Sequence, residues 1–411
     1  MFYNIGQRTP SALTKYRIDD LISIDEGWAI HRNKDSFTVY KGWADEGLQR
    51  KVEKQDFSAE LGVYVIIHRT KDRIDVYRDL HNHAPQVLGD NAFGNDLHMI
   101  RNLQSDATKD AKYPTTPIEQ HAYWDIYTNR IKLEDKHETK QWCKQLIKSI
   151  KFNSFDIEQC AEAVTKHIVK RMHKFYAQCG DKKIFVCPTG GYDAAAVASI
   201  ALANNFDIEV RKPLDDDAMA NRDPLLVEMS DETVYPNFNS YQIVYYEPNT
   251  NVLLGSHDCY AMTEPWTYPG VYKAELYDQL KQMKESYGYH KIFVSNPKNM
   301  DLAWKTKEME KSYGGNRLLA IWDFMQRNIN APASWHWKDQ LFFAPLADCN
   351  ITALMLQVKE EYVPTMIMDK AVQRKIIEIN CPDLLPTLNK SISDRFLPKN
   401  LPNQTKKYFA N

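Results

Sequence analysis

Hydrophobic and polar residues alternate with a period of two over a long N-terminal part of the chain, from Gly27 to about Asp90. The alternation is clearest in SFTVYKGW, GVYVIIHR and RIDVYRDL, which span Ser36–Trp43, Gly62–Arg69 and Arg73–Leu80. Successive side chains of a strand point to opposite faces of a sheet, so this period is typical of strands with one buried face. Only the short polar link TKD separates the last two stretches. The pattern therefore predicts an antiparallel sheet.

A helical pattern begins beyond residue 156, where hydrophobic residues recur at three- and four-residue steps, at Ile157, Ala161, Val164, Ile168, Met172 and Phe175. This spacing predicts an amphipathic helix, which Gly180 can end. Short apolar runs at Ile184–Cys187, Phe206–Val210 and His290–Asn296 predict strands, and the region from Asp348 to Asn380 is predicted to be mainly helical. Helices that alternate with single strands indicate a parallel sheet.

Polar and proline-containing segments separate the two patterns. QSDATKDAKYPTTP and KLEDKHETKQW predict a loop and a charged helix that bridge two domains. A chain of 411 residues is also too long for one comfortable core. We therefore predict an α/β protein of two domains, with an antiparallel-sheet domain at residues 1–104, a bridging segment at 105–155, and a parallel α/β domain with a helical C-terminal part at 156–411.

The composition narrows the class of protein. With 43% hydrophobic residues, 26% charged residues and a formal charge of -2, the chain resembles an ordinary globular protein, and nucleic acid is not the first partner to expect. The seven cysteines are scattered and never form a C-x-x-C pair, so neither a disulfide framework nor a zinc site is indicated. No apolar run approaches the length of about 18 residues that a membrane span needs. We expect a cytoplasmic protein; its oligomeric state does not follow from the sequence.

The segment KIFVCPTGGYDAAAVAS carries the strongest chemical signal, because a predicted strand runs through Thr189, Gly190 and Gly191 directly into a predicted helix. Such a turn leaves backbone N–H groups pointing outward at the positive end of the helix dipole. Glycines lack the Cβ that would block a close approach, and the threonine hydroxyl adds a donor, so a phosphate or pyrophosphate fits there. Glycines placed only for packing are the alternative.

The stretch PTGGYDA resembles the S/T-G-G-x-D-S pyrophosphate loop of ATP pyrophosphatases, in the branch of asparagine synthetase and β-lactam synthetase. The resemblance implies that Thr189, Gly190, Gly191, Tyr192 and Asp193 line a site for ATP, with Asp193 also a magnesium ligand. One departure is Ala194, where that family usually has serine. The implied fold of this second domain is an adenine-nucleotide α-hydrolase-like parallel α/β domain.

The N-terminal pattern resembles the glutaminase-type domain of the same family, which belongs to the N-terminal-nucleophile (Ntn) type. Arg78, Asp79 and Pro85 match an R-D-x-x-G-x-x-P element, although Asn82 replaces its glycine. A working glutaminase of this family uses an N-terminal cysteine, whereas residue 2 is Phe2, which is no nucleophile. The resemblance therefore implies an inactive domain that does not hydrolyse glutamine.

Further positions resemble the catalytic segments of the family. HKIFVSNPKNMDLAW stands in place of an acidic loop that positions magnesium and pyrophosphate; Ser295 and Asp301 match it, its glutamate is missing, and Lys298 could meet the pyrophosphate directly. A decayed loop is the alternative. FFAPLADCNI resembles an element that the family has near its active cleft, which implies that position for Asp348. LNKSISD resembles the segment that carries a lysine in the family, and Lys390 matches this lysine, which stabilises the adenylate-forming and amide-forming steps.

Together these resemblances imply an ATP- and magnesium-dependent ligase that adenylates a small carboxylate, releases pyrophosphate and passes the acyl group to an amine. Two alternatives stay open. Ala194 and the missing acidic residues fit a catalytically degenerate nucleotide sensor or scaffold. A third possibility is an adenylating enzyme that modifies a small nucleobase or nucleotide.

Overall fold

The computed structural model describes residues 3–6, 17–25, 27–81, 86–89, 92–95, 120–135, 137–151, 153–179, 183–186, 192–213, 230–235, 251–254, 341–343, 345–346, 348–362, 365–366 and 370–387. Within these residues the fold is mixed α/β, with antiparallel sheets in the N-terminal region and a parallel sheet farther along the chain. Those two parts of the fold prediction are confirmed.

Two antiparallel sheets make up the described N-terminal region. The smaller has the order β2-β1-β8-β7, and the larger has the order β10-β9-β6-β5-β4-β3. The ten strands are β1 (Tyr3–Gly6), β2 (Ile22–Ile24), β3 (Ala29–Arg32), β4 (Phe37–Ala44), β5 (Gly62–Arg69), β6 (Arg73–Arg78), β7 (Val87–Leu88), β8 (Ala92–Gly94), β9 (Gln120–Asp125) and β10 (Arg130–Asp135).

The N-terminal core forms between these sheets because one face of each is apolar. Side chains from both sheets share one buried cluster, which includes Tyr3, Ile5, Phe93, Val65, Ile67 and Trp124. The opposite face of the larger sheet is covered by helix α1 (Leu48–Glu53), whose Leu48 and Val52 pack with Tyr64 and Ile66. The alternation seen in the sequence thus corresponds to two buried faces of β5.

The region predicted to bridge the domains differs from the expectation. Lys132 to Asp135, expected to begin a charged helix, belong to β10, and β9 pairs with β6 to extend the larger sheet. The helix begins only afterwards, as α2 (His137–Ser149). Charged residues on a strand at the edge of a sheet stay in water, which is why this segment looks like a solvated helix in sequence.

The parallel sheet follows helix α3 (Ile157–Cys179), whose buried side is the predicted hydrophobic stripe. Five strands have the order β13-β12-β11-β14-β15, and all neighbours are parallel. Their bounds are β11 (Lys183–Val186), β12 (Glu209–Pro213), β13 (Ser230–Tyr235), β14 (Asn251–Leu254) and β15 (Leu341–Phe343). β12 starts later than predicted, because the buried Phe206 precedes it and packs against Tyr176.

Helices complete the described C-terminal part. Helix α4 (Tyr192–Ala203) connects β11 to β12, and α5 (Cys349–Met355) and α6 (Ala371–Asn380) follow β15, with 3₁₀ turns at Glu360–Tyr362 and Pro382–Thr387. α6 packs against both α3 and α4. Among the described residues, no helix combines the length and apolar character needed to cross a bilayer.

Candidate functional site

Strand β11 lies at the point where the strand order of the parallel sheet reverses. β11 is the central strand: the chain moves from it to β12 and β13 on one side, and later to β14 and β15 on the other. In open parallel sheets a crevice forms at such a point, outside the carboxyl ends of the strands, because the connections there diverge. We call the space beyond Val186 of β11 and Leu254 of β14 the switch-point crevice.

Five residues, 187–191, join Val186 to the first residue of α4, Tyr192. They include Thr189, Gly190 and Gly191, and they lie outside the described residues. Asp193 is the second residue of α4, but its side chain is not described either. The strand and the helix predicted on either side of this segment are confirmed, and the turn between them stays a prediction. The N-terminus of a helix carries partial positive charge, so this end of α4 favours negative charge.

Helix α4 is held rigidly because its middle is buried on every side. Ala195, Ala196, Val197, Ala198, Ser199, Ile200 and Ala201 are all fully buried. An apolar helix with no polar face occurs in the interior of a protein. The helix packs against α6 and α3.

Sequence reasoning missed an arginine close to this helix end. The guanidinium carbon of Arg374 in α6 lies 5.8 Å from the ring centroid of Tyr192. A guanidinium over a ring face makes a favourable cation–π contact and adds positive charge beside the turn. No local signal distinguishes Arg374, because arginines on helices are ordinarily solvated.

Asp348, which the sequence predicts near an active cleft, is buried and bonded to protein groups. It follows the carboxyl end of β15 and caps α5, where Oδ1 accepts from the backbone N–H of Asn350 at 2.8 Å. Oδ2 accepts from His167 Nε2 and from Arg171 Nη1, each at 2.8 Å. The side chain is 5% exposed, and both carboxylate oxygens already have protein partners.

The charges around Asp348 determine its protonation. Burial by itself raises the pKa of a carboxyl, but the charge and hydrogen bond of His167, with His81 and Arg171, hold the pKa of Asp348 well below its usual value. The group is therefore an anion at neutral pH, stabilised from three directions.

Arg171 links this carboxylate to the N-terminal sheets. Its Nε lies 2.9 Å from Oδ1 of Asp45, which directly follows β4, while Nη1 binds Asp348. The guanidinium also lies over two aromatic rings, with centroids 5.1 Å away in Trp43 and 5.7 Å away in Phe343. One buried cation thus joins β4, α3, β15 and the start of α5.

His81 makes a second link between the two regions. It follows β6, close to Arg78 and Asp79, and Asp79 Oδ1 accepts from the His81 backbone N–H at 3.0 Å. Its Nε2 accepts from the backbone N–H of Cys349 at 3.2 Å and lies 3.6 Å from Oδ1 of Asp348. The element that resembles the glutaminase pattern is thus part of the contact with the parallel-sheet region.

The remaining predicted site residues, Ser295, Lys298, Asp301 and Lys390, lie outside the described residues, so their roles stay predictions. Helix α6 ends ten residues before Lys390 in the sequence. Arg374 lies over Tyr192, and Asn380 Nδ2 donates to Oγ1 of Thr165 at 3.4 Å, two residues before His167.

No model of a known protein family matches this chain, and no curated protein matches it either. Among the described residues, no group of three or more histidine, cysteine, aspartate or glutamate side chains could hold a metal ion.

Proposed function

We propose that the chain is an ATP-dependent, AMP-forming ligase that makes an amide from a carboxylate and an amine, similar in fold and mechanism to asparagine synthetase and β-lactam synthetase. One observation carries the proposal: the segment containing Thr-Gly-Gly joins β11 to α4 at the reversal of the strand order in a parallel sheet. Ligands of such sheets bind at this place, and amides at a helix N-terminus suit a pyrophosphate.

In the proposed first step, a carboxylate oxygen of the substrate attacks the α-phosphorus of ATP. The bond to the bridging oxygen of the β-phosphate breaks, pyrophosphate leaves, and an acyl-adenylate remains. The backbone of residues 187–191 binds the leaving pyrophosphate, and the Lys390 ammonium offsets negative charge that develops at the α-phosphorus. In the second step an amine nitrogen attacks the acyl carbon, AMP leaves, and the nitrogen loses a proton.

Magnesium would neutralise phosphate charge in this reaction, with Asp193 and Asp301 as its proposed ligands. These two residues are assigned from the sequence pattern, since their side chains lie outside the described residues. Asp348 has both oxygens bonded within the protein, so in this proposal it positions α5 and β15 and does not contact the substrate. Asp348 then affects the reaction only indirectly, by holding α5 and the end of β15 in position.

The N-terminal sheets have a structural task in the proposal. They resemble an Ntn-type glutaminase domain, which in this proposal is inactive, so the amine is not ammonia released from glutamine. Their contacts with α3, β15 and α5 place them beside the carboxyl edge of the parallel sheet. They are suited to form a wall of the acceptor pocket.

The test is substrate-dependent exchange of labelled pyrophosphate into ATP, measured over a broad panel of small carboxylates. We expect one class of carboxylate to support exchange, and the variant Lys390→Ala to lose about 10²–10³-fold of the rate, as removal of one preorganised charge does in other enzymes. Lys406→Ala, also near the C-terminus, should exchange normally. Absence of exchange with every carboxylate, in protein shown to be folded, would contradict the ligase.

A nucleotide sensor is the second candidate, because Ala194 removes a hydroxyl that the family usually places beside the phosphates. ATP binding without exchange, with the same affinity in Lys390→Ala, would favour the sensor. Pyrophosphate exchange that requires a nucleobase or nucleotide in place of a carboxylate would favour an enzyme that adenylates a small nucleobase or nucleotide.

A further inference from the structure

The strand β10 lies at one edge of the larger antiparallel sheet and is unusually open to solvent. Among the described strands it has a neighbour on one side only, β9. Five of its six residues are exposed, and Ile131 is half-buried. Leu133 is 47% exposed although it is an apolar residue on a strand. A free edge offers unpaired backbone N–H and C=O groups, which bind another strand readily.

Charges often protect such edges against pairing, but two of the charges of β10 are already paired within its own sheet. Lys132 is paired with Asp125 of β9, and Glu134 is paired with Arg73 of β6 at 3.2 Å. An approaching strand therefore meets neither an unpaired cation nor an unpaired anion at these two positions. The protection that a lone lysine gives an edge strand is correspondingly weaker.

The sequence of β10, RIKLED, is complementary to itself when two copies run antiparallel. Two edges that join into one continuous sheet are related by a two-fold axis perpendicular to it, so facing residues lie on the same face. In the register centred on Leu133, each Leu133 meets the Leu133 of the other copy, and Lys132 faces Glu134 twice. The register centred on Lys132 would place two lysines opposite each other, which is unfavourable.

The other edge of the same sheet lacks this complementarity. β3 has the sequence AIHR, and Ile30 is 44% exposed, but the strand contains no acidic residue to face Arg32. The two edges are thus similar in exposure and differ in charge pattern. β3 is therefore the matched control for β10.

We propose that β10 is a docking surface for β10 of a second copy of this chain, joined antiparallel about Leu133. The two six-stranded sheets become one continuous sheet of twelve strands across the two-fold axis. Edge pairing over six residues covers less surface than the about 1,600 Å² of a standard interface, so the dimer forms reversibly. The proposal is independent of the nucleotide site.

Sedimentation velocity of the full chain, over about two decades of concentration, tests the association. We expect the weight-average mass to rise from monomer toward dimer. The variant Leu133→Lys places two ammonium groups on the two-fold axis and should weaken dimerisation at least about tenfold. Ile30→Lys, the same change on β3, should dimerise as the wild type does.

A pair of complementary variants tests the register itself. Glu134→Lys and Lys132→Glu each create like charges across the axis and should be monomeric alone. Mixed together, the two variants regain opposite charges at both facing positions and should form a heterodimer. Circular dichroism of each variant checks folding, because both changes also remove an ion pair within the sheet.

Several outcomes would overturn the proposal. A wild-type chain that stays monomeric over the whole range excludes it. A dimer that survives Leu133→Lys but is lost in Ile30→Lys assigns the contact to β3. A dimer unaffected by either change forms elsewhere, and failure of the mixed variants to associate excludes the Leu133-centred register.

Discussion

Arg171 lies between two carboxylates that are far apart in sequence, and its environment explains why the guanidinium is buried. Its side chain is 5% exposed, and it pairs with Asp45 and with Asp348, which is 177 residues away. Asp348 was singled out from the sequence, but none of its partners was, because His167 lies 181 residues away and ion pairs leave no periodic pattern. The sequence therefore singles out Asp348 but does not show which residues bind its carboxylate.

Replacing Arg171 by methionine should destabilise the protein by about 3–5 kcal/mol, because it leaves the buried Asp348 and the partly buried Asp45 without their shared cation. The measurement is the free energy of unfolding from urea denaturation at neutral pH. Lys174→Met is the control: it removes a 30% exposed partner of the same Asp45 and should cost about 0–1 kcal/mol. Equal losses in the two variants would show that the Arg171 network is no stronger than a surface ion pair.

Helix α4 shows what an element contributes to the candidate site. Its sequence AAAVASIALA has no polar stripe, and seven consecutive residues from Ala195 to Ala201 are fully buried. The sequence predicted the strand, the turn and the helix, since each is a local pattern. It did not predict that β11 is central or that α6 packs on α4, because the order of strands depends on contacts between distant segments.

Ala198→Leu should destabilise the protein by about 1–3 kcal/mol, because added methylene groups cannot fit beside a fully buried helix without strain. Ala203→Leu makes the same change at the exposed C-terminal end of α4 and should alter stability by less than about 0.5 kcal/mol. Thermal denaturation followed by circular dichroism measures both. A neutral Ala198→Leu would mean that the middle of the helix is packed loosely.

Across the whole molecule, aromatic packing joins the N-terminal sheets to the parallel-sheet region. The rings of Trp43, Phe175 and Phe343 lie with centroids 4.9 to 5.1 Å apart, and they come from β4, α3 and β15. Gln178 of α3 adds a hydrogen bond from Nε2 to the carbonyl of Ala44 at 2.6 Å. These contacts are typical of a shared core, so we expect the two regions to unfold together.

Trp43→Ala should separate that unfolding into two transitions, because it removes a ring that belongs both to the cluster and to the Arg171 contact, at a cost of about 3–5 kcal/mol. Scanning calorimetry detects the change in cooperativity. Trp124→Ala removes an equally buried ring from the core between the antiparallel sheets, and should lower stability while leaving one transition. Two transitions already in the wild type would contradict the coupling.

The sequence by itself determined the local elements: β5 spans the predicted Gly62–Arg69, and α3 follows the predicted hydrophobic stripe. Period and turn chemistry act between near neighbours, so they can be recognised without a fold. Only the tertiary structure decided that β9 and β10 extend the larger sheet, that Arg374 lies beside Tyr192, and that Asp348 is enclosed by charges. Each of these depends on segments that are distant in sequence and are brought together by burial. Removing apolar surface from water is favourable whatever the separation of the two segments along the chain.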